Sequence, residues 1–201
     1  MRQADLAHEL QAKQMQLAQV ETRLRQLEQE GQPSPYEVLV KPLPAQAIAS
    51  MRQIVPDVCE VGAYCGLIYG RLYRRLSELN IVPLSPEITL YHAEEYHETD
   101  LDVEIGIAVA EALVEKPPGA DDVAFRRLTA VDLAASLIYE GAYDTITDGV
   151  LALLKYVGTH GHVVAGPMRE LHLSGPAHDQ NSSNTTAVIE LQVPIKPANT
   201  P

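Results

Sequence analysis

The sequence predicts an α+β fold built from two similar halves, preceded by one long amphipathic helix. Three observations predict it. One pattern of elements runs twice between Tyr36 and Lys196, each run closes on a strand of alternating apolar and polar residues, and a heptad of apolar residues occupies the start of the chain. A repeat of fixed period sets architecture before any residue is read for chemistry.

In residues 1–31, Leu10, Lys13, Leu17, Val20, Leu24 and Leu27 recur at alternating spacings of three and four, a coiled-coil seam with Lys13 as its polar interruption. Gln, Glu, Arg and Ala fill the intervening positions and favour helix. Gly31, Pro33 and Pro35 end it. Such a helix is roughly 40 Å long at 1.5 Å per residue, and so narrow a stripe is not stable alone. A second copy of the chain is the simplest partner, giving a homodimer through this helix; the alternative is packing on the chain's own domain.

The first half-repeat, 36–116, opens on the strand-like Glu37-Val38-Leu39-Val40, then the apolar Ala47-Ile48-Ala49-Ser50-Met51. The second, 121–196, opens on Val123-Ala124-Phe125, then Leu133-Ala134-Ala135-Ser136-Leu137. Val61-Gly62-Ala63-Tyr64 answers Glu140-Gly141-Ala142-Tyr143, and a helix follows each. Leu67, Ile68, Leu72, Leu76 and Leu79 mark the first helix; Ile146, Val150, Leu153, Leu154 and Val157 mark the second. Asp144 or Thr145 is placed to cap the second, with Gly158 and Gly161 near its end. Pro86 to Tyr91 answers Pro167 to His172, and Asp102 to Val109 answers Val188 to Ile195. The alternation of these closing strands means that each covers a core on one side. Antiparallel sheet with helices on one face follows. Similar halves pack about a pseudo-two-fold axis, and their junction is a natural place for a cavity.

Composition narrows the function. The net charge of −12 excludes a broad nucleic-acid surface, which needs clustered Lys and Arg. Nine Tyr stand against one Phe and no Trp, which favours sites with one wet and one apolar end. The two cysteines, Cys59 and Cys65, lack a metal-site spacing and read as reduced, largely buried thiols. The longest apolar stretch, Ile105 to Val114, contains Glu111 and is too short to span a bilayer. With no signal peptide at the start, the expected location is cytoplasmic. The segment His92-Ala93-Glu94-Glu95-Tyr96-His97 mixes ligating residues but matches no metal motif, so it reads as a polar loop. The stretch from Pro176 to Thr186 reads as a loop by composition. No phosphate-binding glycine loop, nucleophile elbow or catalytic cysteine pair is visible, and no metal or cofactor is expected.

The heptad helix followed by VKPLPAQAIASMR, YHAEEYHETDLDVEIGIAV, EGAYDTITDGVLALLKYV and GPMRELHL resembles the C-terminal part of a mercury-resistance-type (MerR-type) transcription regulator. Within it, residues 36–196 resemble the gyrase-inhibitor-like (GyrI-like) effector-binding family. The resemblance implies tandem βαββ-type halves, a concave antiparallel sheet, two long helices and a ligand cavity between the halves. It implies a multidrug sensor in which aromatic residues and one buried Glu bind a lipophilic cation. It also implies a winged-helix DNA-binding module ahead of the coiled coil. This sequence departs from the family there, so the expectation is a fragment of a longer regulator, with a stand-alone sensor as the alternative.

Glu170, in GPMRELHL, stands where the family has the acid of its Glu-x-Tyr motif, with His172 replacing the Tyr. A carboxylate in an apolar cavity is costly unless paired, so a cationic ligand would relieve it, and desolvation would raise its pKa. The alternative is an exposed Glu170 or one bridged to Arg169. Tyr143 and Tyr64, expected at equivalent places near the axis, are further ligand-binding candidates, with Tyr91, Tyr96 and Tyr139 behind them. Glu104 and Glu190 occupy matching closing strands and read as solvated or inter-strand residues. A non-enzymatic sensor is the leading reading. The competing ones are a GyrI-like hydrolase of electrophilic small molecules, with Glu170 as base and Tyr143 as donor, and a protein-binding inhibitor.

Overall fold

The computed structural model describes residues 34–92, 99–119, 121–174 and 186–198. The expected coiled-coil helix at 1–31, Tyr96 and most of the loop from Pro176 lie outside the described residues. The chain divides into two compact units, 1–35 and 36–201, and the elements below all belong to the second. In order they are β1 (Leu39–Leu43), β2 (Gln46–Asp57), α1 (Val61–Glu78), β3 (Glu87–Tyr91), β4 (Thr99–Ala108), the short α2 (Ala112–Glu115), β5 (Ala124–Leu128), β6 (Val131–Gly141), α3 (Ile146–Thr159), β7 (His162–Val164), β8 (Met168–Ser174) and β9 (Ala187–Pro197).

The strands form one antiparallel sheet in the order β1-β6-β9-β8-β3-β4-β2-β5, with β7 paired to β9. The sheet is symmetric about its middle: outward from β3, strands β4, β2 and β5 mirror β9, β6 and β1 outward from β8. Across the central pair Thr89 faces Glu170, Ile88 faces Leu171 and Leu90 faces Arg169. Thr89 and Glu170 hold corresponding places in Pro86–Tyr91 and Pro167–His172. The pseudo-two-fold axis therefore passes between these two residues.

Each half carries a strand–helix–strand–strand core, but its opening strand pairs elsewhere. β1 lies on β6 of the second half, and β5 lies on β2 of the first. Only Pro44 and Ala45 separate β1 from β2, although these strands lie near opposite ends of the sheet; Thr129 and Ala130 join β5 to β6 in the same way. A two-residue link reaches at most about 11 Å at 3.8 Å between successive Cα atoms. The sheet must curl until its edges approach each other.

One face of the curl carries the helices. α1 buries Ile68, Tyr69, Leu72 and Leu76, and α3 buries Gly149, Leu153 and Val157. Leu67 and Leu154, expected in the apolar stripes, are exposed, because each sits one residue off a face defined by 3.6-residue periodicity. Thr145 does not cap α3 with its side chain; its hydroxyl bonds instead to Tyr139 and to the Ala142 carbonyl. Gly149 lets α3 approach the sheet: a Cβ there would meet Leu191 at 3.0 Å and Tyr139 at 3.1 Å. Gly161, with φ of 69°, turns the chain out of α3 into β7.

The other face lines the inside of the curl. Ile48, Ile88, Leu90 and Leu128 cluster there with Leu171 against them. Glu104 and Glu190 also point inward and are not solvated, at 3% and 9% exposure. Each is ion-paired across strands. Arg126 donates to Glu104 from Nε at 2.8 Å and from Nη2 at 2.5 Å, and His92 Nε2 lies 2.6 Å away. Lys41 and the Ser136 hydroxyl both reach Glu190 at 2.6 Å. Lys41 on β1 and Arg126 on β5 hold equivalent edge positions, so the two ion pairs are related by the pseudo-symmetry. Burial works against the charged form of Glu104, but Arg126 and His92 prevail and hold it near a pKa of about 2. No helix among the described residues is long and apolar enough to cross a membrane. Of the two thiols, Cys65 is half-buried, whereas Cys59, expected to be buried, is exposed because it lies in the turn Val58–Glu60 ahead of α1.

Candidate functional site

α1 packs on β2 and β4, and α3 packs on β6 and β9. The central strands β3 and β8 are thereby left as the floor of a groove between the helices. Alternation along those strands sends Glu87, Thr89 and Tyr91 of β3 and Met168, Glu170 and His172 of β8 to this floor. The same alternation puts Arg169 on the opposite face, so the adjacent Arg169 does not neutralise Glu170.

Glu170 is 6% exposed and makes no ion pair among the described residues. Burial raises its pKa to about 7; the only opposing influence is a hydrogen bond from the Tyr91 phenol, which favours the carboxylate. Tyr91 is partly buried beside it, and its own pKa is driven up by desolvation and then by the Glu170 charge. The Cys65 thiol on α1, also close enough to sense Glu170, is pushed up to about 12 chiefly by burial. It is an inert thiol and not a nucleophile.

A chain of hydroxyl and imidazole groups crosses the groove beside the acid. Tyr69 on α1 bonds Thr89 at 3.3 Å, Thr89 meets His172 Nε2 at 3.3 Å, and His172 Nδ1 meets the Tyr143 hydroxyl at 3.1 Å. Tyr69 also sets its ring edge-on to His172, with centroids 6.0 Å apart. Desolvation lowers the pKa of His172 to about 4, so at neutral pH it is an uncharged ring with one donor and one acceptor nitrogen. At the far end Tyr73 donates to Glu87 at 2.5 Å. Chemically, the floor holds one carboxyl that ionises near neutrality, one neutral imidazole and several phenols; Glu170, Thr89 and Tyr69 are buried and the others partly buried.

Of the residues singled out from sequence, Glu170, Tyr91, His172 and Tyr143 come together here. Tyr64 lies within α1, half-buried against the first-half core, whereas Tyr143 sits in the turn Tyr143–Thr145 that precedes α3. The two are not equivalent: the first helix starts before its Tyr and the second after its own. Tyr139 is outside the group. It faces α3 from β6, is 2% exposed, and donates its hydroxyl to the Ala142 carbonyl at 2.6 Å. That makes it a scaffold residue of the second-half core. Tyr69, Thr89, Tyr73 and Cys65 were not anticipated. The spacing of Cys65, Tyr69 and Tyr73 at every fourth residue marks them as one helix face, and Thr89 is the repeat partner of Glu170.

A cavity of about 60 Å³ lies on the opposite face, inside the curl, between Leu43, Gln46, Ile88, Leu128, Arg169 and Gln192. No group of three or more His, Cys, Asp or Glu able to hold a metal occurs among the described residues.

No family model matches the sequence, and no curated protein matches it. Solved structures do. The chain is similar to the EcmrR C-terminal domain, with 25% identity, a TM-score of 0.67, and coverage of 81% of this chain and 99% of that one. It is also similar to EcmrR in a complex with DNA determined by cryo-electron microscopy, with 24% identity, a TM-score of 0.70, and coverage of 94% of this chain and 69% of that one. A looser likeness is to SAV2435 bound to tetraphenylphosphonium, at 14% identity and a TM-score of 0.47 over 80% of this chain and 94% of that one.

Proposed function

We propose, on the premise that the chain has the GyrI-like fold and is similar to the effector-binding C-terminal domain of the MerR-type regulator EcmrR, that it binds a lipophilic cation in the groove between α1 and α3. The observation that carries this reading is Glu170: a carboxyl at the pseudo-axis, buried, with a phenol beside it and no ion pair to any described residue. An ionised carboxylate in that position lacks a counter-charge, and a delocalised cation supplies one without a large dehydration cost of its own. Tyr91, Tyr143 and Tyr69 surround it, and each aromatic face adds about 0.5–2 kcal/mol toward a cation. Tyr64, further along α1, is a secondary wall. A ligand there can shift the domain between conformations only by its difference in affinity for them.

In this reading the domain is the sensing part of a transcription regulator and not an enzyme. Residues 1–31 join two copies, and an upstream winged-helix module contacts DNA. A hydrolase remains the competing reading, favoured by the ionisation of Glu170 near neutrality with phenol donors at hand.

The test is calorimetric titration of tetraphenylphosphonium into the wild type and Glu170→Gln at pH 8. Binding that weakens at least about tenfold in the variant, a loss of some 1.4 kcal/mol, supports charge pairing; equal affinity overturns it. Mass spectrometry of electrophilic esters and epoxides incubated with the protein separates the readings, since turnover abolished by Glu170→Ala would make the chain a hydrolase.

A further inference from the structure

Inside the curl, on the face away from the groove, the two buried acids are paired at positions related by the pseudo-symmetry. Glu104 has Arg126 and Glu190 has Lys41. Arg169 has no counterpart, because its equivalent across the axis is Ile88. Its guanidinium makes no ion pair or hydrogen bond among the described residues, its Nε is buried without a partner, and the residue is 8% exposed. Both burial and the nearby Arg126 disfavour its charged form. Arginine nevertheless stays protonated in proteins, and an unpaired buried charge costs several kcal/mol.

The same residue lines the cavity of about 60 Å³. At roughly 10–15 Å³ for each water-sized unit, that volume takes a group of about four heavy atoms. Its walls are of two kinds. Arg169 and the Gln46 amide provide N–H donors, while Leu43, Pro44, Ile88, Leu128 and Leu171 provide an apolar remainder. Gln192 also lines it, but its amide is turned toward Glu190 and helps to hold that acid ionised. The acids on either side are neutralised by their own cations, which leaves the field at the cavity to Arg169.

We propose that this cavity is a binding site for a short-chain monocarboxylate of the size of acetate, with the carboxylate paired to the Arg169 guanidinium and the alkyl end against Leu43, Ile88 and Leu128. The planar fork of arginine matches two carboxylate oxygens, and the apolar walls suit a methyl group better than a second shell of water. A halide would use the charge but leave those walls unfilled. The site is distinct from the Glu170 groove, lies on the opposite face of the sheet, and stands whether or not a cation binds there.

The experiment titrates sodium acetate into the full chain at pH 7, with sodium chloride at equal ionic strength as control, and reads the melting temperature and the line width of ¹³C-labelled acetate. Arg169→Met is the variant. It removes an unpaired buried charge in favour of an apolar side chain of similar length, so without acetate it should melt at or above the wild-type temperature. The expected result is an acetate-specific rise in wild-type melting temperature and line broadening, both lost in Arg169→Met, with apparent affinity falling at least tenfold. An equal response of the two proteins to acetate, or an equal response of the wild type to acetate and chloride, overturns the proposal. Gln46→Leu gives a second reading: it keeps the charge and should weaken acetate broadening severalfold without abolishing it, and unchanged broadening in it together with Arg169→Met dismisses the site.

Discussion

Thr89 and Glu170 stand opposite each other on the two central strands, at the point where the pseudo-axis crosses the sheet. One duplicated position thus holds a hydroxyl in the first half and a carboxyl in the second. Two acids there would be neighbours about 4.5–5.5 Å apart and could not both ionise without strong repulsion. The asymmetry leaves a single carboxyl at the axis itself, and the predictions below follow from its surroundings.

Glu170 is held at a pKa of about 7 by burial, above its value in an unfolded chain. An acid whose folded pKa is raised penalises the folded state once it must ionise. Below about pH 4.5 the penalty is absent; it grows as the pH rises through the window up to about 7 and is then complete, at about 3 kcal/mol for a shift of this size. Glu170→Gln should therefore be more stable than the wild type at pH 8 and similar to it at pH 4.5, as read by urea denaturation at each pH.

His172 does the reverse. Its pKa falls to about 4 on burial, so the folded state resists protonation, and stability is lost as the pH drops from about 6.5 toward 4, again by about 3 kcal/mol. Between pH 4.5 and 6.5 the slopes of Glu170 and His172 oppose each other. The wild type should show a flat stability profile there, while Glu170→Gln loses stability with falling pH and His172→Gln gains it. Parallel profiles for all three proteins would contradict the assignment.

The pair of half-exposed Arg126 and buried Glu104 makes a different prediction. Arg126→Met strands the Glu104 carboxylate inside the curl, beside His92 alone, and should cost about 3–5 kcal/mol. Replacing both, as Arg126→Met with Glu104→Leu, should recover most of that loss, because the cost lies in the unpaired charge and not in the missing pair. Thermal denaturation of the two variants decides it.

Tyr139 and Tyr143 should separate scaffold from site. Tyr139→Phe removes the hydroxyl that bonds Ala142 and Thr145 and should cost about 1 kcal/mol of stability with cation affinity unchanged. Tyr143→Phe frees His172 Nδ1 inside the groove and should alter tetraphenylphosphonium affinity, measured by the same titration as for Glu170→Gln.

Repetition made the halves readable: the same order of elements appears twice along the chain, and apolar spacing marks the helices and closing strands. Glu170 and His172 were legible through the resemblance to the family's Glu-x-Tyr motif, Tyr143 through the repeat, and Tyr91 from its aromatic character. Tyr139 misled because alternation says which side of a strand a residue faces, not which helix covers it. Glu104 and Glu190 were read as solvated or inter-strand residues, and the inter-strand reading is the one their ion pairs match; their burial was hidden because a curled sheet has an inside on both faces. The swap of β1 and β5 was hidden, since sequence order places each next to the strand that follows it and pairing between distant strands leaves no periodic trace.

That swap bears on how any signal leaves the domain. Because each lobe is completed by a ribbon borrowed from its twin, the lobes cannot swing apart like a clamshell without unzipping an edge. A ligand wedged above Glu170 would instead shear or re-twist one unbroken hydrogen-bonded sheet. Cutting the backbone between α2 and β5 should leave two pieces that remain clasped.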